Sequence, residues 1–264
     1  MNVNSKLPLC RVYDEPESVS AVANTITLSF AQDPLIKWLR PLAPTWARDQ
    51  FATYKWQYRR IQSMIAQGIV LQSVPALKDH WQLFLPEGSK SNDIATPLSD
   101  TITSECGGAD HDAGVGLLLL PPPRRLNWTL SRLILTCKLW LLDIFDPVPE
   151  EGTNMVRLER LMAIHQDAMA RIKKQYKVQD LWYLEVVAVH PTLQGRGLGK
   201  KAMIAVLDFI QDEAITLECT SENTIGFYQS LGFEVAEEVE LIDGDEAVKI
   251  WFMLRQTSNT TGTH

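Results

Sequence analysis

The run Gln194-Gly195-Arg196-Gly197-Leu198-Gly199, followed by Lys200 and Lys201, combines backbone freedom with positive charge, the two properties that phosphate binding uses. It joins an apolar run, Leu181 to Val189, that reads as a buried strand, to an amphipathic run from Leu198 to about Gln211 that reads as a helix. A glycine in a helix costs roughly 1 kcal/mol relative to alanine. Three at one junction point to a backbone that must come close to something. The first turn of a helix offers unpaired N–H groups and the positive end of the helix dipole. Main-chain amides gripping the phosphate of a cofactor are the chemistry this predicts; a tight strand-to-helix turn without a ligand is the plain alternative.

The spacing separates this loop from two better-known phosphate loops. A GxxxxGK[ST] loop needs glycine five positions after Gly195, and a GxGxxG fingerprint needs it three positions after Gly197; Lys200 stands at that point in both cases. Gln194-x-x-Gly197-x-Gly199 instead resembles the Q/R-x-x-G-x-G/A signature of the GCN5-related N-acetyltransferase (GNAT) superfamily. Glu185-Val186-Val187-Ala188-Val189-His190-Pro191 precedes it, and Phe227-Tyr228-Gln229-Ser230-Leu231-Gly232-Phe233 follows at the usual distance, similar to the family's FYxxLGF block.

The resemblance implies an α/β fold with a mixed, splayed sheet flanked by helices, and acetyl-CoA as co-substrate. The main chain of Val187, Ala188 and Val189 would hold the pantetheine arm. The backbone of Gln194, Gly195, Arg196, Gly197, Leu198 and Gly199, with Lys200 at the margin, would hold the pyrophosphate. Tyr228 matches the tyrosine placed near the coenzyme sulfur, where a phenol of ordinary pKa about 10 could exchange a proton with a thiol; packing of a short helix is its plainer role. Asn223 could touch the coenzyme, or cap the helix together with Ser221.

The acceptor amine needs a base. Glu185 sits in an otherwise apolar strand, where a buried carboxylate is costly unless it is paired or functional. Alternation puts it on the same strand face as Tyr183. A salt bridge to the helices inserted before this strand is the alternative, and attack through water would need no carboxylate. His190 reads as a turn residue and Cys219 as a small buried thiol. His80, His111 and His165 suggest no metal site, and no metal is expected. Trp128, Trp140 and Trp182 could line an aromatic acceptor pocket or be ordinary core.

The elements that must position these groups can be read around them. A strand over Leu9–Tyr13 leads to a helix from Ser18 to about Ala31, broken at Asp33-Pro34 before a small apolar cluster at Leu35, Ile36, Trp38 and Leu39. A helix from Trp46 to Gln67 closes at Gly68, ahead of a strand over Ile69–Val74. Residues 89–114 are polar and read as a flexible loop. Gly116–Leu120 reads as a strand stopped by Pro121-Pro122-Pro123. Helical segments at Leu126–Phe145 and Asn154–Tyr176 form an insertion over 121–178, read as a lid beside the acceptor side. After the glycine loop come a strand at Ile215–Thr220, a short helix from Glu222 to Leu231, and a hairpin of Phe233–Leu241 and Ala247–Leu254. A polar tail covers 256–264.

The 264 residues read as one domain of ordinary composition, 45% hydrophobic and 22% charged, and large enough for a substantial core. A net charge of −7 argues against nucleic acid or an anionic membrane as partner. The four cysteines form no CxxC pair and suggest reduced thiols, and the N-terminus shows no signal peptide, so a cytoplasmic location is expected. The expected activity is acetyl transfer to the amine of a small molecule by direct attack in a ternary complex, by a monomer or homodimer. A protein or peptide amine as acceptor, a protein that only binds coenzyme A or an acyl-CoA, and non-acetyl chemistry remain open.

Overall fold

The apolar run ending at Val189 forms the central strand of a seven-stranded mixed sheet. The computed structural model describes residues 7, 9–41, 50–73, 112–148, 153–211 and 213–257. Along the chain run β1 (Leu9–Arg11), α1 (Pro16–Ser29), α2 (Pro34–Leu39), α3 (Gln50–Gln67), β2 (Ile69–Ser73), β3 (Val115–Leu120), α4 (Leu130–Phe145) and α5 (Met155–Gln175). Then come β4 (Trp182–Val189), α6 (Leu198–Phe209), β5 (Ile215–Cys219), α7 (Glu222–Gln229), β6 (Glu234–Asp243) and β7 (Glu246–Arg255). The strand order is β1-β2-β3-β4-β5-β7-β6, antiparallel throughout except for the parallel pair β4–β5.

Helices cover both faces of the sheet, which is why its middle strands are apolar on both sides. On one face Leu198, Ala202, Met203 and Val206 of α6 pack against Leu117, Trp182, Leu184 and Ile215. On the other, Val19, Val22 and Ile26 of α1 and Ile61 and Met64 of α3 meet Val70, Leu118, Val186 and Ala188. A third cluster joins α2 and α5 to the β6–β7 hairpin through Trp38, Leu161, Ile172, Leu241, Ile250 and Phe252.

Local chemistry sets the ends. Pro16 opens α1, and Asp33 caps α2 by accepting from the Ile36 amide at 3.0 Å, with Pro34 at the first helical position. The cluster expected at Leu35–Leu39 is therefore a helix. Gly68 is required by closeness: a Cβ there would lie 2.6 Å from the Leu119 carbonyl. The chain at Leu126–Thr129 is not helical as expected, because Thr129 caps α4 by accepting from the Arg132 amide. Of the 89–114 stretch read as a loop, residues 112–114 are buried, Asp112 accepting from Asn24 Nδ2 at 2.9 Å. The rest of it lies outside the described residues, as do residues 46–49 of the helix read from Trp46 and most of the polar tail.

The inserted helices α4 and α5 join antiparallel neighbours β3 and β4. Arg132 fastens the first of them, donating to the Ala66 and Gly68 carbonyls at 3.2 and 2.7 Å at the end of α3. Arg132→Met strips those buried carbonyls of their donor and is expected to cost about 1–3 kcal/mol, measured as a fall in the urea midpoint at unchanged m-value.

Candidate active site

Beyond β4 the chain makes one 3-10 turn, Pro191–Leu193, and enters the glycine loop. Gly195 and Gly197 have φ of 73° and 77°, left-handed values that side chains rarely adopt. A Cβ on either would meet nothing within 4 Å, so conformation rather than crowding calls for glycine. The first bond of α6 runs from the Lys201 amide to the Gly197 carbonyl at 3.2 Å. Among the described residues no backbone carbonyl accepts from the amides of Gly195 to Lys200. Leu198 buries its side chain in the core, leaving its main chain at the loop, and Lys200 is exposed beside it. An open set of amides at a helix N-terminus fits a diphosphate.

The pairing of β4 with β5 stops at Leu184↔Leu217, so the two strands part from Glu185 onward. On the opposite edge the β3–β4 register slips, Leu118 facing Val186 and Leu119 facing Leu184, which leaves Glu185 as the extra residue of a bulge. The His190 amide bonds to the Gly114 carbonyl at 2.9 Å. Alternation therefore turns the main chain of Ala188 toward β3 and that of Val187 and Val189 into the gap. This corrects the expectation for Ala188, whose polar groups belong to the ladder. The Val189 carbonyl already accepts from Ser29 Oγ at 2.8 Å and Gln194 Nε2 at 3.0 Å, so its N–H is the group it offers.

A cavity of about 1030 Å³ opens at the root of the gap, walled by α2, α3, the two inserted helices and the parting strands. Tyr183 and Glu185 both line it. The Glu185 carboxylate is held by Arg60 of α3, which donates from Nε at 2.7 Å and Nη2 at 2.6 Å, and Arg60 stacks 5.3 Å over the Trp56 ring. The partner is thus α3, not the inserted helices. Both donors fall on Oε1, so that oxygen is already engaged.

The sequence reading missed the group best placed for that task. His165 of α5 lines the cavity, its Nδ1 bonded to the Glu218 carboxylate of β5, its ring edge-on to Tyr183 at 5.1 Å. Among the described residues none bonds to its Nε2. A carboxylate on one ring nitrogen fixes orientation and tautomer and leaves the other for proton transfer.

Tyr228 also lines the cavity, wedged edge-on between Phe227 and Phe233 at 5.0 and 5.9 Å. Burial, with added repulsion from Cys219, raises its phenol well above the ordinary value. This corrects the expected match of an unperturbed phenol to a thiol: Tyr228 keeps its proton. Tyr183 is likewise raised, by burial and then by the Glu218 and Glu185 carboxylates. In an absorbance titration both are expected to stay un-ionised at pH about 10, where free tyrosine titrates. Their folded pKa values lie above the unfolded ones, so the stability they contribute is complete below pH about 10 and is lost as pH rises beyond it. Tyr183→Phe and Tyr228→Phe should each remove one late signal that otherwise appears with the loss of helical circular dichroism.

The remaining sequence candidates fall into place around the site. His190 is buried, its Nδ1 2.8 Å from Thr192 Oγ1 and its Nε2 3.6 Å from Asp112, a structural arrangement. Cys219 is a buried thiol 3.1 Å from the Ser221 carbonyl and 2.9 Å from Thr224 Oγ1. Asn223 is exposed on α7, and Ser221 makes no side-chain cap. The tryptophan pocket is not formed. Trp128 and Trp140 point to solvent, and Trp182 is buried beneath the opposite sheet face, donating to Glu213. The aromatic lining comes instead from Phe30, Trp56, Tyr183 and Tyr228. His80 and His111 lie outside the described residues, and no metal-holding cluster occurs among the described ones.

A sheet parting between two parallel strands, with an amide cradle at the mouth and a cavity at the root, is the architecture of the GNAT fold. Residues 167–233 match the family model described as Acetyltransferase (GNAT) family. Three solved structures share the fold, each with a TM-score of 0.51. A Corynebacterium glutamicum protein described as histone acetyltransferase HPA2 and related acetyltransferase is 16% identical, over 97% of this chain and 99% of its own. Arylalkylamine N-acetyltransferase 2 from Aedes aegypti is 13% identical, over 94% and 98%. The Drosophila melanogaster polyamine N acetyltransferase is 12% identical, over 94% and 100%. Among the described residues no helix is long and apolar enough to cross a membrane.

Proposed function

We propose that this chain transfers an acetyl group from acetyl-CoA to the amine of a small molecule, by direct attack within a ternary complex. Coenzyme A supplies the thioester; the chain supplies grip, geometry and proton traffic. The amides of Gly195 to Lys200 hold the diphosphate, with Arg196 and Lys200 adding charge and Gln194 bracing the loop. The peptide groups of Val187 and the N–H of Val189 hold the pantetheine arm in the gap, near Asn223. Tyr228 donates to the departing sulfur.

The observation that carries this reading is the His165–Glu218 pair facing a cavity at the point where β4 and β5 part. His165 Nε2 takes the proton of the acceptor ammonium, and Asp33 and Glu218 place carboxylates in the lining beside the Arg60–Glu185 and Arg59–Asp143 pairs. Walls from α5 and from Asp143, Pro147 and Val148 close it to an extended peptide and favour a compact amine. Solved relatives of the same fold are named for polyamine and arylalkylamine substrates. The free thiols of Cys10, Cys137 and Cys219 suit a reducing cytoplasm.

The test is thiol release from acetyl-CoA against a panel of alkyl, arylalkyl and polyamine acceptors, beside peptides bearing a free N-terminus or lysine. Turnover that depends on a small amine supports the proposal. Turnover with peptides alone would give the site a protein substrate, and tight coenzyme A binding without acceptor-dependent release would make the chain a binding protein.

A further inference from the structure

Helix α4 is apolar on both sides. Its inner face buries Leu135 and Leu139 against Ala66, and Lys138 and Asp143 tie its flanks to Asp14 and Arg59. Its outer face carries Leu130, Leu133, Ile134, Trp140, Leu141 and Ile144, exposed from 47% at Leu141 to 73% at Leu130. Trp128, just before the helix, and Phe145, its last residue, are also exposed. At roughly 150–250 Å² for an aromatic side chain and roughly 100 Å² for Leu or Ile, the exposed fractions amount to about 700 Å². The largest patch on a typical monomer is about 300–600 Å², and a standard interface buries about 800 Å² per partner.

The spacing says what covers this face. Counted from Cys137, which is exposed, the apolar positions fall at minus and plus three, four and seven residues. The row is a palindrome about Cys137. An isologous contact has that property, because a two-fold axis crossing the helix at its centre brings each residue opposite the mirror position of the other copy. The intervals of three and four also repeat as a helix-pairing seam does. An antiparallel arrangement sets the two helix dipoles head to tail. A lipid surface is a poorer partner: the chain carries a net charge of −7, and the Lys138 head on this helix is already paired with Asp14.

We propose that the outer face of α4 is a homodimer interface, two copies pairing antiparallel with Cys137 on the two-fold axis, Ile134 on Trp140 of the other copy and Leu130 on its Ile144. This does not rest on the acetyl-transfer reading. It has a consequence for the cavity, because Asp143, Pro147 and Val148 at the end of α4 form part of its wall, so dimerisation would brace that wall.

The experiment is sedimentation of the full chain with site-specific cross-linking. The expected result is a dimer in which a short bis-maleimide links Cys137 to Cys137, a product lost in Cys137→Ser. Ile134→Glu, and separately Trp140→Ala, should raise the dissociation constant on the order of 100-fold with helical circular dichroism unchanged. In a Cys137→Ser background, chains with Leu130→Cys should cross-link to chains with Ile144→Cys and not to themselves. A monomer at every concentration with no Cys137 product overturns the proposal, its face then being covered by its own chain or by nothing. So does a dimer that Ile134→Glu leaves intact, and so does a monomer that binds phosphatidylcholine–phosphatidylserine vesicles through Trp140. Leu130→Cys chains linking to themselves would overturn the antiparallel arrangement.

Discussion

His165→Ala is expected to lower kcat by about 10²–10⁴-fold, the range typical of a lost general base, with KM for acetyl-CoA nearly unchanged. The ring stands in the acceptor half of the site, so coenzyme binding does not depend on it. Truncation empties space beside Glu218, and added imidazole should restore part of the rate, a rescue that a merely structural histidine would not show. Glu218→Gln is expected to lower kcat by a smaller factor, since Glu218 acts through His165 by holding Nδ1. Glu185→Gln serves as the contrast. Its carboxylate is committed to Arg60 on two donor atoms, so its loss should alter the acceptor KM more than kcat. If Glu185→Gln instead abolishes turnover, and imidazole fails to rescue His165→Ala, the base is Glu185.

What the sequence revealed and what it hid follow from how far apart the determining residues lie. The glycine loop was legible because its requirement is local: φ at Gly195 and Gly197 is a property of the backbone there, and a helix must follow at once. β4 was legible as a continuous apolar run because both of its faces are covered. The base was not. His165 and Glu218 are 53 residues apart, and only the laying of α5 over the β4–β5 gap brings them together. Arg60 and Glu185 are 125 residues apart, and the bulge that singles out Glu185 depends on register with β3. Periodicity also failed to orient α4, since a helix apolar on both sides gives no signal for which face docks. Trp140, expected in a pocket or in the core, lies in solvent for that reason. Helix α2 could have been found from Asp33-Pro34, a cap followed by a first-turn proline, had the pair been read as a start as well as a stop.

Gly197→Val should weaken coenzyme A binding on the order of 10–100-fold and destabilise the fold by about 1–2 kcal/mol, the cost of a left-handed conformation for a side-chain-bearing residue. Two responses are open to the variant chain. It can keep φ at 77° and bear the strain, which lowers the urea midpoint. Or it can relax to negative φ, which breaks the bond from the Lys201 amide and turns the cradle amides away from a bound diphosphate. Hydrogen bonds to a charged group are worth about 1.5–3 kcal/mol each, and each 1.4 kcal/mol is tenfold in affinity, so misdirecting one or two gives the stated range. Gly199→Ala separates ligand approach from backbone strain. Its Cβ would rest at ordinary contact, 3.6 Å from Val189 and 3.7 Å from Phe227, and alanine in a helix is better by up to about 1 kcal/mol. That variant should therefore be as stable as the parent or more so, and lose affinity only if the ligand comes within reach of the added methyl. Calorimetric titration with coenzyme A, run beside urea melts, reads both quantities for both variants. Unchanged affinity in Gly197→Val would mean that the main-chain amides past β4 are not what holds the coenzyme.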